Sequence, residues 1–499
     1  MNNPQYTIPD FLLDWPRTRI VCTIGPATAS KDTIITMVRS GMAVARINLS
    51  HGSAEQHREY ISTVREASSE LGCHIGILMD LPGPKYRTDL GDDSSAQRSF
   101  AAGETVSITA RDDGGGDGGQ HALGVWPSGL HRDAKVGGQV LVDDGAATLE
   151  VTAIEGRRVD CRLVEDGVIK NNKTISLPGT RLSLDYFTPE TVDGLELASE
   201  LEVDFVGLSC IQSAEDVRAT RRWLEEKGVR ISLMSKIEMA CVLEELEEVV
   251  DASDAVMVAR GDLGIELPLA ELPGVQARII RLANQKGKPV VTATQMLESM
   301  ITNPRPTRAE VTDINSAVTD GTDATMLSGE TAVGKYPTQA VQFMADIAIR
   351  SEQDGVNQHR NWWESGEQSH LGVDEIIAHS ACKVADQVNA VLIVAFTESG
   401  ASAIRVSNYR PAVPVVAMVR SPRAIRTLTV RRGVIPILVE PIGSSDMMFR
   451  TASRMARENG YAKLGDLIVV VMGLPIGQAG ATNLLRVLRI REPRDTPLS

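Results

Sequence analysis

Two clusters of charged residues follow two short apolar runs in the middle of the chain. The run ISLM leads to Lys236 and Glu238, and the run AVMVA leads to Arg260 and Asp262. Two carboxylates at neighbouring strand ends suit a hard cation such as Mg²⁺, which takes few protein oxygens and leaves positions for water or substrate. A cluster of surface ion pairs is the alternative interpretation of the same residues.

The residues between the two clusters predict how they are positioned. Apolar residues recur at intervals of three and four between Met239 and Val250, which predicts an amphipathic helix between two strands. Parallel strands joined by a helix are neighbours, and their C-terminal ends point the same way. The two clusters should therefore converge.

Composition limits the class of protein. With 499 residues, of which 42% are hydrophobic, the chain is long enough for two to four domains. The net charge of −14 argues against nucleic acid as a partner, because phosphate backbones require basic surface.

The six cysteines form no CxxC pair, which favours free thiols in a reducing cytoplasm. We expect no membrane partner and no signal peptide, because no long apolar window is present and residues 1–16 lack a basic start followed by an apolar run.

The fold class follows from repeated alternation of strand-like and helix-like segments. Apolar runs typical of parallel strands covered on both faces occur at 17–26, 42–52, 74–87, 204–209, 231–236, 254–260, 288–294 and 324–328. Eight such runs separated by helical patterns predict a (β/α)₈ TIM barrel. A doubly wound open sheet is the alternative.

Polar residues lie at or just past the ends of these strands. They are Arg46, Asn48, Ser50, Asp80, Ser209, Lys236, Glu238, Asp262, Thr294, Ser328 and Glu330. A barrel gathers its strand ends into one mouth, where the active site is found. Helix capping is the alternative role for some of the Ser, Thr and Asp residues.

Two further regions flank the predicted barrel segments. Residues 85–185 have the period of two and the turn residues of a small antiparallel β domain, which would act as a lid; the Gly-rich run 111–119 is predicted to be a flexible loop. After residue 350 a second α/β alternation begins. We therefore predict the following boundaries: a polar leader 1–16, a barrel at 17–84 and 186–350, a lid at 85–185, and a C-terminal α/β domain at 351–499.

The C-terminal domain contains two Gly-rich stretches that follow strands, at 397–400 and 473–480. A turn of the TxSG type at the start of a helix can bind a phosphate through backbone N–H groups. A simple helix cap explains the same residues equally well.

Long motifs in this sequence resemble the pyruvate kinase family. They are RINLSHG (46–52), MSKIE (234–238), MVARGDLGIE (257–266), ATQMLESMI (293–301), PRPTRAE (304–310) and MLSGETAVGKYP (326–337). The resemblance is strong over residues 17–350 and looser afterwards. It implies a barrel with an inserted lid and a C-terminal regulatory domain, the conversion of phosphoenolpyruvate and ADP to pyruvate and ATP in glycolysis, and a homotetramer.

The resemblance also implies roles for the charged residues. Glu238 and Asp262 would bind Mg²⁺, or Mn²⁺ in its place. Lys236, Arg46 and Arg87 would stabilise the moving phosphoryl group. The substrate would also meet Ser209, Thr294 and the backbone N–H groups of Gly261 and Asp262. We expect Arg260 to pair with another residue and fix this last turn.

Further roles implied by the resemblance concern the proton and the nucleotide. Thr294 and Ser328 occupy the positions linked to protonation of the enolate, with Glu330 in support. For Thr294 the alternative is a hydroxyl that caps a backbone group. Nucleotide contacts would come from Pro26, His51 and Lys173.

One departure from the family pattern changes the expected ion requirement. Asn48, Ser50 and Asp80 match a K⁺ site, but Leu81 and Lys85 stand where a Thr and a Glu would be. A lysine ammonium is a compact charge that can stand in for the ion. We expect activity without K⁺; a solvated Lys85 near the hinge is the alternative.

The expected effector site is Thr397, Ser399, Gly400 and Ser402, which resemble the family's sugar-phosphate loop. The later loop, GLPIGQAGATN, lacks the Trp and Arg by which members responsive to fructose bisphosphate bind its second phosphate. A sugar monophosphate or nucleotide effector, or none, is therefore expected.

Two other functions compete with the kinase. One is a Mg²⁺-dependent lyase or mutase acting on phosphoenolpyruvate or pyruvate enolate; the other is an inactive paralogue that senses a ligand. The inserted lid and PRPTRAE disfavour the first, and the complete set of charged residues disfavours the second.

Overall fold

The computed structural model describes residues 8–91, 93, 95–110, 122–355, 372–476 and 482–492. The chain divides into two compact units. One is Met1–Met79 with Leu201–Phe205 and Ile280–Ser499, and the other is Asp80–Glu200 with Val206–Ile279. Over the described ranges, no helix is both long and apolar enough to cross a membrane.

The first strands and helices alternate as predicted. They are β1 (Arg19–Thr23), α1 (Lys31–Arg39), β2 (Met42–Asn48), α2 (Ala54–Leu71) and β3 (Gly76–Asp80). Every residue of β1 and β3 is buried, as expected for strands covered on both faces. Ser30 and Ser53 cap the two helices by accepting backbone N–H groups of the first turn. Gly72 ends α2 in the left-handed conformation, which a glycine adopts without strain.

A β-rich segment follows β3. Its elements are β4 (Tyr86–Asp89), β5 (Gln97–Phe100), β6 (Thr105–Ala110), β7 (Ala122–Trp126), α3 (Leu130–Asp133), β8 (Gln139–Val142), β9 (Ala147–Glu155), β10 (Arg158–Leu163), β11 (Gly167–Lys170) and β12 (Thr174–Ser176). Seven of these strands close a small barrel in the order β10-β6-β7-β4-β12-β8-β9, and β5 pairs with β11. Its interior is filled by alternate Val, Ile and Leu residues. We call this segment the lid.

The lid is not purely antiparallel, contrary to our prediction, because β6 and β7 pair in parallel. A parallel pair requires a long connection instead of a tight turn. The chain supplies one in residues 111–121, which include the predicted glycine loop and lie outside the described residues.

The rest of the first barrel follows the lid in sequence. Its elements are α4 (Pro189–Glu200), β13 (Phe205–Leu208), α5 (Ala214–Glu226), β14 (Ser232–Ile237), α6 (Leu246–Ala252), β15 (Ala255–Ala259), α7 (Arg260–Glu266), α8 (Leu272–Gln285), β16 (Val290–Ala293), α9 (Arg308–Asp320), β17 (Ala324–Leu327), α10 (Gly329–Ala332) and α11 (Pro337–Gly355). Eight strands form a closed barrel in the order β1-β17-β16-β15-β14-β13-β3-β2. The predicted TIM barrel is confirmed, and the open sheet is excluded.

Two local predictions in this part differ from the structure. The helix expected between Met239 and Val250 is split into a 3₁₀ turn, Ala240–Glu244, and the short helix α6. The Glu266 carboxylate lies 3.4 Å from the backbone N of Ala240 and holds the start of that turn away from α6. The expected turn at Gly261 and Asp262 is instead the first turn of α7.

The C-terminal elements are α12 (Val373–Gln387), β18 (Leu392–Thr397), α13 (Ala401–Asn408), β19 (Val415–Val419), α14 (Pro422–Leu428), β20 (Val434–Leu438), α15 (Ser445–Glu458), β21 (Leu467–Gly473) and β22 (Thr482–Arg489). They form a five-stranded sheet in the order β20-β19-β18-β21-β22. The sequence analysis missed β22, which is the antiparallel edge strand. Most of its residues are partly or fully exposed, so it lacks the continuous apolar run that marks the central strands.

The leader is less polar in the structure than its composition suggested. Ile8 and Leu12 are buried in the same apolar cluster as Leu392 and Val394 of β18. The backbone N–H of Ile8 also donates to the side-chain oxygen of Asn459, at 2.6 Å. Residues 8–12 therefore belong to the core of the C-terminal sheet, while residues 1–7 lie outside the described part.

Candidate active site

Lys236 is held by three polar groups at the ends of neighbouring strands. Its Nζ donates to Ser209 Oγ at 2.8 Å and lies 3.2 Å from Asp80 Oδ1 and 2.7 Å from Glu238 Oε1. Asp80 ends β3, Ser209 follows β13, and Lys236 and Glu238 come from β14 and the residue after it. The side chain of Lys236 is only 11% exposed, and those of the two carboxylates are 1% exposed. A buried ammonium of this kind is stable only because the carboxylates compensate its charge.

Close packing around Asp80 depends on a glycine in the next strand. A Cβ on Gly207 would lie 3.0 Å from Asp80 Oδ1. This contact is tighter than ordinary packing, so a side chain at this position would require the Asp80 carboxylate to shift slightly. Asp80 also accepts a bond from Ser209 Oγ at 3.2 Å, which fixes its orientation.

The two oxygens of the Glu238 carboxylate have different partners. Its Oε2 accepts the backbone N–H of Cys210 at 3.0 Å and the Cys210 thiol at 3.3 Å. Its Oε1 is buried and forms an ion pair with Lys236 Nζ at 2.7 Å, without hydrogen-bond geometry. A buried carboxylate oxygen that already faces a positive charge is suited to binding a cation.

Asp262, in the first turn of α7, pairs with Lys85. Lys85 Nζ lies 2.5 Å from Asp262 Oδ1. Burial alone would raise the pKa of Asp262, but Lys85 and Lys236 outweigh it and hold that pKa below its ordinary value. Burial alone would lower the pKa of Lys85, but Asp262 and Glu238 raise it well above its ordinary value. Both groups are therefore charged at neutral pH.

Arg260, the first residue of α7, is buried. Its Nη1 donates to the side-chain oxygen of Gln276 on α8, at 3.4 Å. The contact links the first residue of α7 to the following helix. This agrees with a role in fixing the Gly261 and Asp262 segment.

The lid contributes Arg87 and Lys173. Arg87 lies on β4, two residues after Lys85, and its Nη1 donates to the carbonyl of Asn172 at 3.3 Å. Lys173 Nζ pairs with Asp143 at 2.9 Å. The lysine that we predict to contact the nucleotide therefore already has an anionic partner. Asp144 follows Asp143 at the tip of the β8–β9 hairpin, and burial and then Asp262 raise its pKa.

In the other compact unit, Arg46 and its neighbours form a second group of candidate residues. Arg46 lies near the end of β2, is buried, and donates to Thr23 Oγ1 at 2.9 Å. Nearby in sequence, Asn48 Oδ1 accepts the backbone N–H of Ser50 at 3.2 Å, and the carbonyl of His51 contacts His57 Nε2 at 2.8 Å.

Pro26 follows a glycine that packs tightly. A Cβ on Gly25 would lie 2.6 Å from the carbonyl oxygen of Ala332. Because no side chain fits there, the turn that carries Pro26 is fixed against α10.

Thr294 and Ser328 lie on either side of a fully buried carboxylate. Glu330 Oε2 accepts the backbone N–H of Ser328 at 2.7 Å, and its Oε1 accepts that of Leu297 at 3.0 Å. Thr294 has φ of +70°, which is strained for a β-branched residue. Its hydroxyl donates to the carbonyl of Ala293 at 2.6 Å. Glu330 therefore joins the segments that carry both hydroxyls.

The PRPTRAE motif has a structural role in addition to carrying the resemblance. Thr307 and Glu310 form a reciprocal capping box at the start of α9. Glu310 also accepts the backbone and the hydroxyl of Ser299, at 2.7 and 2.6 Å. The motif thus anchors the loop that follows β16.

Sequence reasoning missed several residues that position this site. They are Cys210 and Gln212 after β13, Glu266 at the end of α7, and Asp133 in the lid. Each acts through contacts with residues far away in the sequence. An isolated Cys, Gln or Asp in a loop carries no periodic or motif signal, so no local pattern pointed to them.

The candidate effector residues line a pocket at the end of β18. Gly400 has φ of +92°, and its N–H donates to Thr397 Oγ1 at 3.1 Å. Ser399 and Ser402 line the same pocket, and the Ser402 hydroxyl contacts Thr482 Oγ1 at 2.6 Å. Charged side chains complete the lining: Glu398 and Arg420, which pair with each other, and Glu440.

The closed eight-stranded barrel, the inserted lid and the lysine–carboxylate cluster at the strand ends define an α/β-barrel protein. A family model described as the pyruvate kinase barrel domain matches residues 15–341, and one described as the pyruvate kinase alpha/beta domain matches 375–488. The chain belongs to the pyruvate kinase family.

Named relatives match nearly the whole chain. A pyruvate kinase of Mycobacterium intracellulare is 41% identical over 478 residues, which are 95% of this chain and 99% of that protein. A pyruvate kinase of Corynebacterium glutamicum is 40% identical over 94% of this chain and 97% of its own length. One of Clostridium acetobutylicum is 37% identical over 94% and 99%.

Proposed function

We propose that the chain transfers the phosphoryl group of phosphoenolpyruvate to ADP, giving pyruvate and ATP, as a step of glycolysis. The observation that carries this proposal is the buried Lys236, held by Asp80, Ser209 and Glu238 at the barrel strand ends. A fixed ammonium stabilises charge that develops on a transferring phosphoryl group without reorganising during the reaction. The family match over nearly the whole chain supports the same reaction.

Glu238 and Asp262 would hold the divalent cation, Mg²⁺ or Mn²⁺. When bound, such a cation neutralises charge on the substrate carboxylate and phosphoryl oxygens. The buried Oε1 of Glu238, which already faces the positive charge of Lys236, and the lowered pKa of Asp262 fit two ionised oxygen ligands. Lys85 keeps Asp262 ionised before any metal binds.

The cationic side chains and the backbone of α7 would orient the substrate. Lys236, Arg46 and Arg87 would supply the positive charge that faces the substrate, while Lys236 also pairs with Asp80 and Glu238. The N–H groups of Gly261 and Asp262 lie in the first turn of α7, and in this proposal they donate to the substrate carboxylate.

Protonation of the enolate would involve Thr294 and Ser328. Glu330 does not reach the substrate in this proposal; it holds the backbone beside each hydroxyl. The strain at Thr294 supports the idea that its orientation is imposed by function.

The nucleotide would bind at Pro26 and His51 and at Lys173 of the lid. Because Lys173 is paired with Asp143, binding of a phosphate there would exchange one anion for another. In this proposal, Lys173 leaves Asp143 when the nucleotide binds.

Activity should not require K⁺. Lys85 brings a fixed positive charge next to Asp262, and Asp80 is already compensated by Lys236. In this proposal Asn48, Ser50 and Asp80 match a vestigial K⁺ site, and Lys85 makes the ion unnecessary from its position beside Asp262 rather than beside Asp80.

The C-terminal pocket would bind a phosphate of a sugar monophosphate or a nucleotide. Thr397, Ser399 and Ser402 offer hydroxyls, and Gly400 precedes the first turn of α13. The pocket also contains Glu398 and Glu440, which repel a second phosphate. A bisphosphate is therefore the less favoured effector.

The expected assembly is a homotetramer in the cytoplasm. The edge strand β22 exposes Val487, and Leu269 and Val333 are large apolar residues at the surface. Symmetric pairing of such surfaces is the usual way to protect an edge strand. Sedimentation velocity would test this proposal, and a monomer at assay concentration would contradict it.

A coupled assay of pyruvate formation, with and without ADP, tests the central proposal. ADP-dependent pyruvate release with equimolar ATP is the expected result. Conversion of phosphoenolpyruvate without ADP would favour a lyase or mutase, and no turnover by folded protein would favour a ligand-sensing paralogue.

A further inference from the structure

The loop that follows β13, residues 209–212, contacts both the lysine–carboxylate site and the lid. Ser209 accepts a bond from Lys236 at 2.8 Å, and the Cys210 N–H donates to Glu238 at 3.0 Å. Two residues later, Gln212 reaches the segment by which the chain leaves the lid. We call residues 209–212 the β13 loop and residues 177–185 the lid exit.

Gln212 binds one residue of the lid exit through both of its side-chain amide atoms. Its Oε1 accepts the N–H of Leu182 at 2.5 Å, and its Nε2 donates to the carbonyl of Leu182 at 3.0 Å. A neighbouring β-strand would satisfy the same two backbone groups. The Leu182 side chain packs against the lid core, so its backbone cannot shift without moving the lid.

The lid exit is also joined to the strand by which the chain enters the lid. Asp133 Oδ2 accepts the N–H of Ser183 at 2.9 Å and the hydroxyl of Tyr86 at 2.7 Å. Tyr86 begins β4, directly after Lys85. Gln212 therefore binds the lid exit next to Ser183, the residue that Asp133 links to Tyr86 at the entry to the lid.

On the barrel side, the backbone of Gln212 is fixed. Asp216 Oδ2 accepts the N–H of Gln212 at 2.7 Å and that of Ser213 at 3.0 Å, as part of the capping box of α5. Cys210 has φ of +55°, an uncommon conformation for a residue other than glycine. The loop is thus anchored at its end and strained at the residue that contacts Glu238.

We propose that Gln212 is a positioning residue that couples the lid to the carboxylate of Glu238 and the ammonium of Lys236 through the β13 loop. The inference rests on the proposed function, because it assigns Glu238 to the metal and Lys236 to the phosphoryl group. A shift of the lid exit moves the side chain of Gln212. The loop backbone then shifts Cys210 and Ser209, which lie two and three residues before Gln212. The coupling is reciprocal, so fixing Glu238 and Lys236 in place also restrains the lid exit through the β13 loop and Gln212.

The test compares Gln212→Leu with the wild-type chain and with Arg181→Ala. Arg181 is a matched control, because it joins the same lid exit to Glu245 of the barrel without using the β13 loop. Mn²⁺ binding is measured by electron paramagnetic resonance in the absence of substrates. Deuterium exchange is followed in a peptide covering 177–185, and steady-state kinetics are measured with phosphoenolpyruvate and ADP.

For Gln212→Leu we expect Mn²⁺ affinity to fall about tenfold, as when a residue that orients a metal ligand is lost. Exchange in the lid exit should rise, kcat should fall, and the thermal midpoint should stay close to that of the wild type. Arg181→Ala should leave Mn²⁺ affinity unchanged. Gln212→Glu, which keeps the acceptor for the Leu182 N–H but loses the donor, should give an intermediate affinity.

Unchanged Mn²⁺ affinity in Gln212→Leu would overturn the proposal, as would an equal loss in Arg181→Ala. If Gln212→Leu does not fold, Gln212→Glu decides, and wild-type Mn²⁺ affinity in that variant counts against coupling. Failure of the proposed function is seen separately, as the absence of ADP-dependent pyruvate formation by the wild-type chain.

Discussion

The ammonium of Lys85 lies 2.5 Å from a carboxylate oxygen of Asp262, although the two residues are 177 positions apart in the chain. Lys85 stands at the start of the lid, and Asp262 stands in the first turn of α7. A fixed positive charge therefore lies beside one of the two carboxylates assigned to the metal. The contact makes the ion requirement of this chain the first property to test.

We expect the wild-type chain to work without K⁺. In tetramethylammonium buffer free of Na⁺, adding K⁺ should change the rate of pyruvate formation by no more than about twofold, because Lys85 already supplies the charge. Lys85→Glu should make activity depend on K⁺, since it puts an anion beside the site. Lys135→Glu, an exposed change in the lid, is the control. A many-fold rise of wild-type activity on adding K⁺ would refute the expectation.

Lys236→Met should abolish most of the activity. The variant removes the buried ammonium that faces the transferring group, so kcat should fall by roughly 10³ or more. Lys227→Met removes an exposed lysine paired with Glu196 and should have little effect. Single-turnover kinetics would separate the chemical step from substrate binding. A loss of less than about tenfold would show that Lys236 is not the main source of charge stabilisation.

The capping box at α9 should make stability depend on pH in a defined direction. Burial alone would raise the pKa of Glu310, but hydrogen bonds from Ser299 and Thr307 lower it overall. A carboxyl group whose pKa is lower in the folded state than in the unfolded state stabilises the folded state at pH values above its unfolded pKa. This stabilisation is lost as the pH falls through the pKa of the folded state. Glu310→Gln should therefore lower the unfolding free energy by about 1 kcal/mol at pH 7, and the difference should vanish in acid.

Urea unfolding between pH 7 and pH 3 would measure this difference. Glu298→Gln is a control of opposite sign, because burial, followed by Glu330 and Glu310, raises the pKa of Glu298. A raised pKa destabilises the folded state at pH 7, so this second variant should gain stability there and lose the gain in acid. Parallel pH profiles for the two variants would contradict the assignment of the capping box.

The effector pocket should distinguish one phosphate from two. We expect activation by a hexose monophosphate or by AMP, if the pocket is used, and little response to fructose bisphosphate. Glu398→Ala should improve the response to the bisphosphate, because it removes one repelling carboxylate and frees Arg420. Thr427→Ala, on the neighbouring helix α14, serves as the control. Strong activation of the wild type by the bisphosphate alone would contradict this prediction.

The barrel was predictable because its information is local. Each strand is a short apolar run, and the polar residue at its end is adjacent in sequence, as with Lys236 and Glu238 after ISLM. The edge strand β22 was missed because its exposed face weakens the alternation. The parallel pairing of β6 and β7 was missed because register between strands is decided by tertiary contacts and not by the strands' own composition.

The partners of the candidate residues were less predictable than the residues themselves. Lys85 was expected to replace an ion near Asp80, whereas the structure pairs it with Asp262 and gives Asp80 to Lys236. The pairing depends on which side chain reaches which carboxylate across the strand ends. Gln212 shows the same limit, because nothing in a single Gln predicts that it will bind the backbone of Leu182.

The burial of Ile8 and Leu12 in the C-terminal sheet has a consequence for biosynthesis. The bond between Ile8 and Asn459 joins residues 451 positions apart. At typical elongation rates, a ribosome needs roughly 20 to 90 s to add that many residues. During this interval the core in which Ile8 and Leu12 are buried has not yet been synthesised. The nascent chain therefore exposes an apolar segment of the kind that chaperones bind.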